Sequence, residues 1–127
     1  MNFEKKFFVQ QKFNQAELDN RKQSIKRNLG LARGKKEPEI VFHFSYMALI
    51  KTGIYHIAKA GYRVKRTPGH HIKIIEALSK ILKIKDIMVV GDKMRKDRNI
   101  DLYCGGVLIG SREAKEYFDF VENIHLD

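Results

Sequence analysis

Little in this chain would restrain or interrupt it. A single cysteine, Cys104, excludes an internal disulfide and suits a reducing compartment. It is expected as a small core residue rather than as a nucleophile. Only two prolines, Pro38 and Pro68, are present to break regular structure. The longest apolar runs, such as "IMVV" at 87–90, fall far short of the roughly 20 residues that a membrane-spanning helix needs. The opening "MNFEKKFFVQQKF" lacks a continuous apolar segment and a small-residue cleavage site. It does not read as a secretion signal, and a cytoplasmic location with no membrane partner is expected. Internal repeats and low-complexity segments are also missing. So is a glycine-rich phosphate loop: "YCGG" is too short and does not open a helix, which argues against a nucleotide-binding domain of that type.

What the chain has is charge and helical periodicity. Its 127 residues (14.8 kDa) are 43% hydrophobic and 31% charged, a balance that fits one globular domain over 1–127 with its own core. The net charge of +10 is uneven. Residues 1–63 hold thirteen lysines and arginines against five acids, and residues 64–127 hold twelve against ten. Such a basic half favours anionic partners, RNA or DNA above all, through phosphate contacts and counterion release. Residues 1–14 form a candidate flexible basic arm.

The spacing of apolar residues predicts helices almost throughout. A first runs from about Gln15 to Leu31 on a thin stripe of Leu18, Ile25 and Leu29, followed by the basic loop "ARGKKEPE". A second spans about Pro38 to Ala60, with Ile40, Phe44, Met47, Ala48, Ile54, Ile57 and Ala58 on one wide face. Proline at its first turn and Gly61 at its end suit a helix start and a left-handed cap. After "YRVKR", Thr67 and Pro68 are placed as cap and first turn of a third helix ending near Leu82, with Ile72, Ile75, Leu78, Ile81 and Leu82 inward. A fourth starts near Lys85 and stops at Gly105 and Gly106. A last helix, about Arg112 to Ile124, follows Ser111 as N-cap. No strand is expected, and the fold class is all-α.

The fourth helix contains the polar stretch "GDKMRKDRNIDLYCGG", residues 91–106. Its inward face carries Ile87, Val90, Gly91 and Met94, and the same face continues to Arg98, where a leucine would be expected. An inward guanidinium costs several kcal/mol unless matched. Asp101, one turn later, or a carboxylate on a neighbouring helix would match it. Alternatively, a cleft between two copies would let it meet a phosphate, which its planar fork suits better than a lysine does. His70 and His71 are adjacent and point about 100° apart, so they are expected to cap or pack rather than to share a metal. His43 and His56 carry no assigned chemistry. No metal site and no cofactor are expected. Lys65, Arg66 and Arg95 are candidate phosphate contacts, and Tyr62 a candidate base-stacking residue.

Three segments, "FSYMALIKTGIYHIAKAGYRVKRTPGHHIKIIEAL", "MRKDRNIDLY" and "SREAKEYFDFVENI", in this order, resemble the HEPN superfamily of small helical domains from prokaryotic toxin–antitoxin, phage-defence and RNA-processing systems. The resemblance covers about residues 10–125. It implies an up-and-down bundle of four main helices plus a short C-terminal helix, and a two-fold homodimer that brings the fourth helices together. Active members are metal-independent ribonucleases with an arginine, a polar residue after it, and a histidine four to six residues beyond the arginine. Arg98 matches the arginine and Asn99 the polar residue. The histidine is absent, and its window holds Tyr103, Cys104 and Gly105. Tyr103, with a reference pKa near 10, is a poor proton acceptor at neutral pH, and Asp101 is the alternative base. The resemblance therefore implies an RNA-binding or ribonuclease-type component of a toxin–antitoxin or defence module, catalytically degenerate for want of the histidine. The alternative it implies is a non-catalytic dimeric module that holds a nucleotidyltransferase-type protein.

Overall fold

The computed structural model describes residues 1–103 and 109–127, apart from the side chains of residues 101–103. It is mostly helical, with α1 (Gln15–Ala32), α2 (Pro38–Lys59), α3 (His70–Leu82), α4 (Lys85–Tyr103) and α5 (Ser111–Glu122). Two short strands, β1 (Phe8–Gln10) and β2 (Tyr62–Val64), pair antiparallel.

Local chemistry sets the helix ends. Asn14 caps α1 by accepting from the Glu17 amide at 2.8 Å, while Glu17 accepts from the Asn14 amide at 3.1 Å, a reciprocal capping box. Pro38 opens α2, and Gly61 leaves it at φ +91°, which a residue with a β-carbon rarely adopts. The start expected at Pro68 moves to His70, because Gly69 sits at φ +78° and cannot join a right-handed helix. Gly110, rather than Ser111, holds the N-cap position of α5.

The strand pair is the main departure from an all-helical reading. Phe8 lies opposite Val64 and Gln10 opposite Tyr62, joining the N-terminal segment to the connector after α2. Phe8 is buried, so this part of the expected basic arm is docked on the core. Tyr62 stacks on Phe3 with ring centroids 4.1 Å apart, which takes the face that a base would have used. Three-residue strands paired across more than fifty positions leave no periodicity to read.

Packing centres on α2, which α1, α3 and α5 surround, while α4 lies against α3. This position explains why Phe42, Ser45, Tyr46, Leu49, Ile50, Thr52 and Tyr55 are buried beyond the single face that spacing suggests. A helix covered on several sides has no polar stripe to reveal its orientation. On α3 the inward set is Ile74, Ile75, Ala77 and Leu78, rotated from the expected one so that Ile72 is only half-buried.

Two glycines let these helices approach. A β-carbon at Gly53 would collide with the Ile74 side chain and meet its carbonyl oxygen at 3.3 Å, and one at Gly91 would lie 2.7 Å from Ile75 Cγ2. Gly30 on α1 has open space around it. Replacing Gly53 by alanine is expected to lower stability by about 1–2 kcal/mol, because overpacking outweighs the gain in helix propensity. The same change at Gly30 is expected to raise it by about 0.5–1 kcal/mol. Urea titration of both variants checks the opposite signs.

Candidate active site

Arg98 is half-buried on α4. Its guanidinium carbon lies 5.5 Å from the ring centroid of Tyr46, a residue of α2 that is 1% exposed. An aromatic face at this distance offsets part of the cost of burying the charge. Among the described residues no carboxylate pairs with Arg98; the side chains of Asp101 and Tyr103 lie outside that description. One turn earlier, Arg95 donates to Asp92 Oδ1 through Nε at 3.0 Å and Nη2 at 2.9 Å, and Lys96 reaches Asp92 Oδ2 at 3.1 Å. Partial burial opposes the charge of Asp92, but the hydrogen bonds from Lys96 and Arg95 prevail and hold its carboxyl below the ordinary value.

The first residues of α3 complete the site. The hydroxyl of Tyr46 lies 2.9 Å from Nδ1 of His71. Burial pushes the Tyr46 phenol up to about 12 against the opposing charges of Arg98 and Arg95, so it keeps its proton at neutral pH. The same burial, reinforced by His70, Arg98 and Arg95, lowers His71 to about 4. Both rings are therefore neutral, and one hydrogen bond between the phenol oxygen and Nδ1 joins them. His70 differs. Its Nδ1 lies 3.0 Å from the Thr67 carbonyl oxygen, which can only accept, so Nδ1 carries hydrogen and Nε2 of the neutral ring keeps its lone pair. The two imidazoles meet edge to face, 4.6 Å apart.

An open cavity of about 360 Å³ joins these parts, with Arg66, His70, His71, Arg95, Arg98 and Asn99 on its wall. Of the residues singled out from sequence, Arg95, Arg98, Asn99 and Arg66 are brought together here. Lys65 is not on the wall. The capping and packing expected of the two histidines are present, as the Thr67 and Tyr46 hydrogen bonds, but the rings also face the cavity. Sequence reasoning missed this because it sought the histidine on α4, whereas α3 supplies two. The Gly69 turn, which swings "HH" onto the start of α3, was the available signal.

On the other side of α4, Tyr117 fixes the helix to α5. Its hydroxyl lies 2.7 Å from Asp97, 3.0 Å from Glu113 and 2.5 Å from the Lys93 ammonium. This network ties α4 to α5. Among the described residues, no group of three or more His, Cys, Asp or Glu is arranged to hold a metal, and no helix is long and apolar enough to cross a membrane.

Compared with known proteins, the chain matches no family model, no curated protein and no solved structure.

Proposed function

We propose that the protein binds RNA through the phosphodiester at the α3–α4 cavity and cleaves it there without a metal, as a HEPN-like helical bundle acting in a toxin–antitoxin or defence module. One observation carries the reading: two histidines, one held at Nδ1 by the Thr67 carbonyl and the other by the Tyr46 hydroxyl, stand in the same cavity as Arg95 and Arg98. In this scheme Nε2 of His70 takes the proton of the ribose 2′-hydroxyl, and O2′ forms a bond to phosphorus. Arg98 and Arg95 hold the charge on the phosphorane oxygens. The P–O5′ bond then breaks, giving a 2′,3′-cyclic phosphate and a 5′-hydroxyl. His71 returns the proton to O5′. A bound phosphodiester offsets the positive charges that depress His71, so substrate itself favours the protonated ring, whose Nδ1–H then donates to the Tyr46 oxygen. Asn99 is placed to hydrogen-bond a phosphate or sugar oxygen.

The homodimer is part of the same proposal and follows from the resemblance. Val89 and Ile100 are 69% and 44% exposed. Eleven residues apart, they share one line along α4, about 180° around the helix from Arg98. A second copy seated on this line would cover both and leave one complete cavity in each chain. The test is incubation of end-labelled single-stranded RNA with the protein in the presence of a chelator. Cleavage with 2′,3′-cyclic phosphate ends is expected. Intact RNA, together with a stoichiometric protein partner, would favour the non-catalytic module that holds a nucleotidyltransferase-type protein.

A further inference from the structure

A second cavity, of about 560 Å³, lies where the loop after α1 meets the start of α2 and the outer side of α5. Its volume falls within the range of small-ligand pockets. The bed is apolar, formed by Ala32, Val41, Ala114 and Phe118. Arg33, Lys35, Lys36 and Lys115 stand around it. Two of these cations are already matched: Arg33 pairs with Glu122, and Lys115 with Asp119 at 3.1 Å. Lys35 and Lys36 are exposed and make no ion pair among the described residues. Charge is thus left over beside a flat apolar bed.

The placing of Arg33 narrows the ligand. Its guanidinium lies 5.7 Å above the Phe118 ring while Glu122 holds its edge. A planar cation fixed in this way offers its outer face to another flat ring, as arginine does to unstacked bases. A base on that face would carry its phosphate toward Lys35 and Lys36. A free nucleoside triphosphate would call for a glycine-rich cradle, which this loop lacks. A strand anchored elsewhere does not need one. Val41 of this cavity and Tyr46 beside the active site are five positions apart on α2, and the outer arc between them carries Glu39, Ile40 and His43, which are exposed. A short strand could follow this open side of α2 from one cavity to the other.

We propose that this second cavity holds one nucleotide of the single-stranded RNA whose phosphodiester lies in the active site, with its base on Arg33 and its phosphate on Lys35 and Lys36. The proposal rests on the RNA reading above, and the experiment separates the two. The probe is a pentanucleotide with 2′-O-methyl sugars, which cannot be cleaved, added to the ¹⁵N-labelled full chain while amide shifts are followed. Two clusters should move, one at 33–36 with 114–119 and one at 66–71 with 95–99. Movement of the second cluster alone would overturn this inference and leave the active site standing. Movement of the first alone would refute the active site and, with it, a strand shared by the two cavities, and no movement would remove both. With the Lys35→Ala, Lys36→Ala double variant, the slope of log affinity against log salt should become shallower by about 0.7, one single-strand phosphate. An unchanged slope would overturn the phosphate assignment to these lysines. Both side chains are exposed, so the variant is expected to fold as the parent does.

Discussion

Replacing Arg98 by alanine is expected to slow RNA cleavage by about a hundred- to a thousandfold, corresponding to about 2.7–4 kcal/mol of transition-state stabilisation. Its guanidinium already lies against the Tyr46 ring, on the wall of the cavity with both histidines, so little reorganisation is needed when charge develops on the phosphorane. The loss should be larger in kcat/KM than in kcat, since Arg98 meets the charge of the bound phosphodiester as well as the charge added in the transition state. Arg98→Lys should recover part of the rate, because a point charge remains while the fork is lost. Circular dichroism and thermal melting of both variants distinguish this effect from unfolding. A cleavage rate within threefold of the parent for Arg98→Ala would remove the residue from the chemistry.

The second large effect concerns His70. His70→Ala should cut the rate by about a hundred- to ten-thousandfold, the usual worth of a positioned general base. His70→Asn is the informative control. It can keep a hydrogen bond to the Thr67 carbonyl and so preserve the α3 start, yet it has no basic nitrogen. A rate restored by asparagine would make His70 a positioning residue and transfer the proton acceptance elsewhere.

Much of the helical framework can be read locally. The Asn14–Glu17 capping box, Pro38 and Gly61 bound α1 and α2 within a residue or two of where periodicity places them, because each acts on the backbone beside it. The inward direction of Ile87, Gly91, Met94 and Arg98 is also legible, since one face of α4 meets α3. What cannot be read locally is what lies opposite. Tyr46 meets His71 across 25 positions, and β1 finds β2 across more than fifty. Nothing in either segment's own pattern encodes its partner. The same limit explains the inward arginine. Within its own chain, Arg98 is met by an aromatic face of α2, and α3 adds the groups that a phosphate would use, neither of which the pattern of α4 encodes.

The account depends on one coupling, between an anion in the cavity and the proton on His71. Without ligand, burial and the charges of Arg98 and Arg95 keep this ring near 4, below the ordinary 6.5, so it is neutral from about pH 5 upward. An anion between the arginines removes part of that repulsion, and the folded protein should then bind an extra proton between pH 4 and 6.5. The direct measurement is an NMR titration of the His71 ring in the full chain, alone and saturated with the 2′-O-methyl pentanucleotide. A rise of one unit or more on binding is the expected result. An unchanged His71 titration, with the pentanucleotide bound, would show that the phosphate does not enter this cavity, and the proposed active site would fall.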